Sequence, residues 1–190
     1  MAVPRESHTA TLLGSGKVLI AGGSDGTLGN SSPAALYAAS ETFDPSSGMF
    51  TVAGLMTTQR DYQTANLLSS GKVLVAGGES NAGTETSADL FDPASGSFAA
   101  TGHMMDARFY QDASTQADGT VLLTGGSDDS IRAKASAEVY DPVSATFAAT
   151  GSMLYPRVWH TSTVLANGKV LITGGAGTDS IPVATAELYQ

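Results

Sequence analysis

The sequence predicts an all-β fold, a radial array of small antiparallel sheets arranged as a propeller of four repeats. Three observations predict it. A phrase that opens on arginine recurs at Arg5, Arg60, Arg108 and Arg157. A Gly-Gly pair follows 17 residues later each time, at Gly22-Gly23, Gly77-Gly78, Gly125-Gly126 and Gly174-Gly175. The register between copies is 55, 48 and 49 residues, a period that suits a propeller and not a conventional single core. Glycine is abundant, 22 of 190 residues, and helix-forming runs are scarce, as expected for many short strands joined by turns.

Each repeat reads as a four-stranded meander. In the second copy, Arg60 to Leu68 ends in alternating small, polar and apolar residues, the pattern of a half-buried strand. Ser70-Gly71 then turns the chain, as do Ser15-Gly16, Asp118-Gly119 and Asn167-Gly168. Asn-Gly and Asp-Gly favour hairpins because the turn needs positive φ. The run Lys72 to Ala76 is a second strand, matched by Val18 to Ala21, Val121 to Thr124 and Val170 to Thr173. These runs are apolar throughout, as strands buried on both faces are. A third strand covers Ser87 to Phe91, Ala135 to Tyr140 and Ala184 to Tyr189. Asp44-Pro45, Asp92-Pro93 and Asp141-Pro142 open the next turn, with proline pre-set at its second position. The fourth strand carries Phe50, Phe98 and Phe147. One meander alone buries too little surface, so neighbours must stack, and the recurring aromatic, Leu and Met positions read as packing between repeats.

The composition sets limits. Apolar residues make up 42% and charged residues 14%, enough apolar surface to fold. The net charge is −9, an acidic field that argues against nucleic acid and membrane surfaces as partners. The acidic residues are scattered, as on a solvated surface. There is no cysteine, hence no disulfide, thiolate nucleophile or cysteine zinc site. The start, Met1-Ala2-Val3-Pro4-Arg5-Glu6, has no apolar signal-like run, and no stretch is apolar enough for a spanning helix, so the chain as given reads as soluble. Its compartment stays open.

The phrase Arg-x-x-His-Thr-Ala-Thr-Leu-Leu-x-x-Gly-Lys-Val-Leu-Ile-Ala-Gly-Gly from Arg5 to Gly23, followed by Glu41-Thr42-Phe43-Asp44-Pro45, resembles the kelch repeat of bacterial kelch-like proteins. The resemblance covers essentially the whole chain, with blades near residues 5–56, 60–104, 108–153 and 157–190. It implies a propeller whose first strands line a central channel, and it implies little chemistry, because such folds host many functions. Kelch propellers usually have more blades than four. The fourth repeat stops at Glu187-Leu188-Tyr189-Gln190, so the last blade is incomplete, and Met1 aligns with Met56, Met104 and Met153, so the N-terminus cannot supply its missing strand. Three outcomes follow: a closed four-bladed ring, a homo-oligomer completing a larger ring, or a piece of a longer propeller.

The resemblance also places the start of each first strand at the channel mouth. The four tetrads are Arg5-Glu6-Ser7-His8, Arg60-Asp61-Tyr62-Gln63, Arg108-Phe109-Tyr110-Gln111 and Arg157-Val158-Trp159-His160. The candidate ligand-binding residues are Arg5, His8, Arg60, Tyr62, Gln63, Arg108, Tyr110, Gln111, Arg157, Trp159 and His160. Guanidinium, aromatic and amide groups together suit carboxylates, sugars or an acidic peptide. Against this, a recurring Arg and His/Gln suit hydrogen bonding between blades, which leaves the variable Tyr62, Tyr110 and Trp159 as the better ligand contacts. His8 and His160 would meet only in a closed four-bladed ring, and no third metal ligand accompanies them.

Asp25, Glu79, Asp128, Asp129 and Asp179 follow the Gly-Gly pairs, with spacing unlike an EF-hand, and read as solvated turns. The longer first loop, Asp25 to Pro33, is a second place to look for function, and Asn30-Ser31-Ser32 is a glycosylation sequon. Gly22-Gly23-Ser24-Asp25-Gly26 matches a hydrolase elbow by letter only, since no helix follows. The sequence shows no Walker loop and no dinucleotide fingerprint, and implies no cofactor. The copper oxidases that share the propeller need a cysteine-crosslinked tyrosine, which this chain cannot form. The leading expectation is a non-catalytic binding or assembly module for protein or carbohydrate ligands. The alternatives are an enzyme acting on sugars or small acids at the channel mouth, and a self-associating structural unit.

Overall fold

A computed structural model of the chain describes residues 1–26 and 36–189. All regular structure among these residues is strand. No helix is long and apolar enough to cross a membrane. The strands form four small antiparallel sheets, one per repeat.

Sheet 1 contains β1 (Thr9–Leu12), β2 (Val18–Ala21), β3 (Ala39–Asp44) and β4 (Met49–Leu55) in that spatial order. A bulge interrupts the β3–β4 register between Ala39 and Glu41. Sheet 2 contains β5 (Thr64–Leu67) and β6 (Val73–Ala76). After a two-residue ribbon of β7 (Glu79–Ser80) and β8 (Gly83–Thr84), it continues with β9 (Ala88–Asp92) and β10 (Ser97–Ala100). Sheet 3 holds β11 (Asp112–Thr115), β12 (Val121–Thr124), β13 (Ala137–Asp141) and β14 (Thr146–Thr150). Sheet 4 has three strands, β15 (Thr161–Val164), β16 (Val170–Thr173) and β17 (Ala186–Tyr189).

Turn chemistry follows the sequence. Gly16, Gly71, Gly119 and Gly168 all have φ above 80°, which an L-residue reaches only under strain. Asp44, Asp92 and Asp141 each accept a hydrogen bond from the amide two residues on, at 2.8–2.9 Å, closing the Asp-Pro turns.

The second strand of each sheet carries the core. Val73, Leu74, Val75 and Ala76 are all buried, and alternate residues serve opposite neighbours. Val73 and Val75 pack with Leu19, Ala21 and Met56 between sheets 1 and 2. Leu74 and Ala76 pack with Val121, Leu123 and Met104 between sheets 2 and 3. Leu122, Val170, Ile172 and Met153 join sheets 3 and 4. Among the described residues, no comparable cluster joins sheet 4 back to sheet 1. The first strands run side by side in the order β1, β5, β11, β15.

Candidate functional site

The four repeated arginines are committed to their own sheets. Arg60 Nη1 donates to the carbonyls of Gly77 and Ser87, both at 2.8 Å, and its Nη2 donates to Ser87 Oγ. Arg5, Arg108 and Arg157 make the same bonds to Gly22 and Ala39, to Gly125 and Ser136, and to Gly174 and Thr185. Each guanidinium also meets a carboxylate on its third strand: Glu41 at 3.5 Å, Asp89 at 3.7 Å, Glu138 at 2.8 Å and Glu187 at 2.7 Å. That carboxylate then accepts amides of the chain entering the sheet, such as Met105 and Asp106 on Glu138. All four arginine side chains are fully buried. Burial pulls the Arg60 guanidinium below its usual range, and Asp89 and Glu85 oppose that shift. The expectation that Arg5, Arg60, Arg108 and Arg157 face a ligand therefore needs correcting. Their Nη groups fasten the first, second and third strands of one sheet together, while Nε of Arg5, Arg108 and Arg157 is buried without a partner among the described residues.

The fourth tetrad position joins sheets. Gln63 Nε2 donates to the Ala21 carbonyl of sheet 1 at 2.8 Å, and Gln111 Nε2 to the Ala76 carbonyl of sheet 2 at 3.0 Å. His160 Nε2 lies 2.8 Å from Thr124 Oγ1 of sheet 3. Burial, reinforced by Arg157, pulls the His160 pKa down to about 4, so the ring is neutral at neutral pH. These three residues are buried and leave the ligand set as well. His8 holds the same place on sheet 1, and its Nδ1 is buried without a partner among the described residues. His8 and His160 sit at the two ends of the strand row, so they are not brought together. No group of three ligating side chains occurs among the described residues.

The third tetrad position is different. Ser7, Tyr62, Tyr110 and Trp159 all adopt left-handed backbone, with φ of 55°, 52°, 56° and 57°. Bulky residues rarely do so. The conformation lifts each side chain out of the sheet while main-chain bonds tie neighbours together: Tyr62 donates its amide to Ser7, and Trp159 to Tyr110. The three rings make a continuous row across sheets 2, 3 and 4. Their centroids lie 4.5 Å apart from Tyr62 to Tyr110 and 4.9 Å from Tyr110 to Trp159. Phe109 flanks Tyr110 at 4.5 Å. Burial and the Tyr62 hydroxyl raise the Tyr110 pKa, so its phenol stays protonated. Trp159 is 58% exposed and ends the row at the solvent.

A shallow recess of about 50 Å³ opens beside Trp159, lined by Phe109, Tyr110, Ile131, Val158 and Ser180 among others. Ile131 and Ser180, in the loops after Gly-Gly on sheets 3 and 4, also have positive φ (55° and 60°). A β-branched residue in that conformation and 79% exposed is uncommon. Ile131 carries little signal in the sequence, and Phe109 stands in its tetrad without being among the candidate ligand contacts. A lone Ile in an otherwise polar loop was the available signal.

The second tetrad position carries a buried acid. Asp61 is pushed up to about 6, chiefly by burial, with Glu79 and Glu6 adding to the effect and Ser24 opposing it. Of the loop acids, Asp128 and Asp179 bond within their own loops, whereas Asp129 reaches Thr84 in the loop of sheet 2. Asp128 pairs with Lys134 at 2.7 Å, Asp129 accepts the Thr84 amide at 2.9 Å, and Asp179 accepts the Ile181 amide at 3.1 Å. The sequon and most of the Asp25–Pro33 loop lie outside the described residues.

No protein-family model matches the sequence, and no curated protein matches it at a significant level.

Proposed function

We propose that this chain is a kelch-type propeller array serving as a non-catalytic binding module. Its ligand surface is the aromatic row Tyr62–Tyr110–Trp159, and its ligand is a carbohydrate or an aromatic-rich or acidic protein segment. The propeller reading rests on three like sheet-to-sheet packings and on first strands that stay adjacent along the row. The observation that carries the binding reading is the row itself. Three successive repeats hold an aromatic residue in a backbone conformation that such residues avoid. Local strain of this kind concentrates where function requires it.

A partly exposed row of rings in edge-on and tilted contact, beside a recess of about 50 Å³, favours a surface contact over an enclosing pocket, which would need several hundred Å³. Rings stack on the apolar faces of sugars while Tyr hydroxyls hydrogen-bond their edges. The enzyme reading draws no support from the arginines or His160, which are buried with their Nη groups and Nε2 engaged inside and between sheets.

Trp159 is the sole tryptophan, so its emission reports on the row directly. Titration with neutral and acidic oligosaccharides and with acidic peptides should quench or shift that emission for at least one class. Tyr110→Ala should remove the response while leaving the fold intact. A silent Trp159 across both panels, with calorimetry equally silent, sinks the binding reading.

A further inference from the structure

The aromatic row Tyr62–Tyr110–Trp159 has two unlike ends. Three carboxylates gather at the Tyr62 end. Asp61 is buried, and a backbone bridge pairs it with Glu79. Burial is the main cause of its raised pKa, and Glu79 and Glu6 add to it, so the three acids act on one another. Glu6 and Glu79 are themselves exposed. The field of this group reaches the middle of the row. Burial raises the Tyr110 phenol first, Tyr62 next, and Glu79 and Asp61 after it. Among the described residues, no lysine, arginine or histidine forms an ion pair with Glu6, Asp61 or Glu79. Residues 27–35 and 190 include no basic side chain.

At its other end the row meets the recess between the loops of sheets 3 and 4, where Phe109, Ile131, Val158 and Trp159 supply apolar surface. Ile131 and Trp159 are both largely exposed. Charge is closer to balance here. Asp128 pairs with Lys134 at 2.7 Å, and Arg132 follows Ile131 in the same loop. Negative charge without a counter-ion therefore lies at one end of the row, and open apolar surface at the other.

We propose that the row binds a basic protein segment, which sets an apolar side chain in the recess at Trp159 and a lysine or arginine over Tyr62, against Asp61 and Glu79. This rests on the binding reading of the row, and it turns that reading away from acidic ligands. Complementarity of sign selects the cation. Ring faces attract it through their quadrupole, and carboxylates that lack a counter-ion add to the attraction. A neutral sugar would satisfy the rings and leave that charge uncompensated. The spacing suits an extended chain. The ring centroids step by 4.5 and 4.9 Å along the row, and a strand advances about 3.3 Å per residue, so side chains two or three residues apart reach the two ends. The net charge of −9 favours the approach of such a segment.

Capped peptides of the pattern Gly-Gly-Leu-Gly-X-Gly-Gly, with X as lysine, glutamine or glutamate, test this through Trp159 emission and calorimetry, with maltotriose as the neutral sugar. At low salt the lysine peptide should bind about tenfold more tightly than the glutamate peptide, with glutamine between them. That preference should shrink as salt rises from about 0.02 M to about 0.3 M, because exposed charges are screened. Glu79→Gln changes an exposed residue, so the fold should persist by circular dichroism. It should weaken the lysine peptide about threefold and leave the glutamine peptide unchanged. Ile131→Ala should weaken all three peptides alike. A response to maltotriose alone, a glutamate peptide that binds as well as the lysine one, or a lysine preference untouched by Glu79→Gln overturns the proposal and leaves the binding reading standing. Silence of Trp159 and of the calorimeter towards every probe overturns both.

Discussion

Gly77 and Gly174 are the same residue of the repeat, with φ of 67° and 68°, yet one is wedged against the next sheet and the other faces open space. The same contrast separates Leu122, 1% exposed between sheets 3 and 4, from the half-buried Leu171. Local sequence sets the conformation of each repeat. The neighbouring sheet sets how much each residue is worth. A repeat array should therefore respond unequally to the same substitution at its interior and its end.

The largest contrast should come from the buried ion pairs. Arg108→Ala strands Glu138, whose side chain is 2% exposed, and should cost about 3–5 kcal/mol in urea unfolding. Arg157→Ala leaves the more accessible Glu187, 12% exposed, and should cost clearly less. Equal losses would show that the end sheet is as tightly held as the interior.

Next is a pH effect at the junction of sheets 3 and 4. His160 is held neutral, with its pKa down to about 4, below the unfolded value of about 6.5. That contribution is complete above the unfolded pKa and is lost as pH falls through the folded one. Asp61 acts with the opposite sign. Its pKa is raised to about 6, so its contribution is present at low pH and is lost as pH rises through that value. His160→Gln places the residue used at positions 63 and 111. The stability of this variant relative to wild type should climb by roughly 3 kcal/mol as pH falls from about 7 to about 4. A parallel pair of curves would contradict the buried neutral ring.

Two smaller contrasts follow. Leu122→Ala should cost about 3 kcal/mol and Leu171→Ala about 1, because only the first opens a cavity in a sealed interface. Gly125→Ala and Gly174→Ala share the left-handed penalty. The first adds a collision with the Arg157 carbonyl and should be worse by about 1–2 kcal/mol in dilute solution.

Much of the fold was legible in the sequence. The second strands were read to within a residue, because apolar runs bounded by Ser-Gly or Asn-Gly turns and by Gly-Gly leave little freedom. The Asp-Pro turns and the Phe-bearing fourth strands followed for the same reason. The β7–β8 ribbon and the bulge near Ala39 were not legible, since two-residue pairings carry no periodicity. The candidate site was legible only in part. Tyr62, Tyr110 and Trp159 stood out because they vary where the arginines recur. The direction in which Arg60 or Gln63 points was hidden, because a repeated polar residue at a strand start suits a channel lining and an internal clasp equally well. Only the carbonyls of Gly77 and Ser87, brought together by the third strand, decide between them.

The contrast between interior and end is tested most directly by amide hydrogen exchange at the second glycine of each pair, read by NMR. The amides of Gly23, Gly78 and Gly126 each donate to an arginine carbonyl of the next sheet and should exchange slowly, near the global unfolding limit. The Gly175 amide donates to no such carbonyl among the described residues and should exchange orders of magnitude faster. Equal protection at all four glycines, or rapid exchange at the first three, would contradict the repeated sheet-to-sheet contact from which the rest is built.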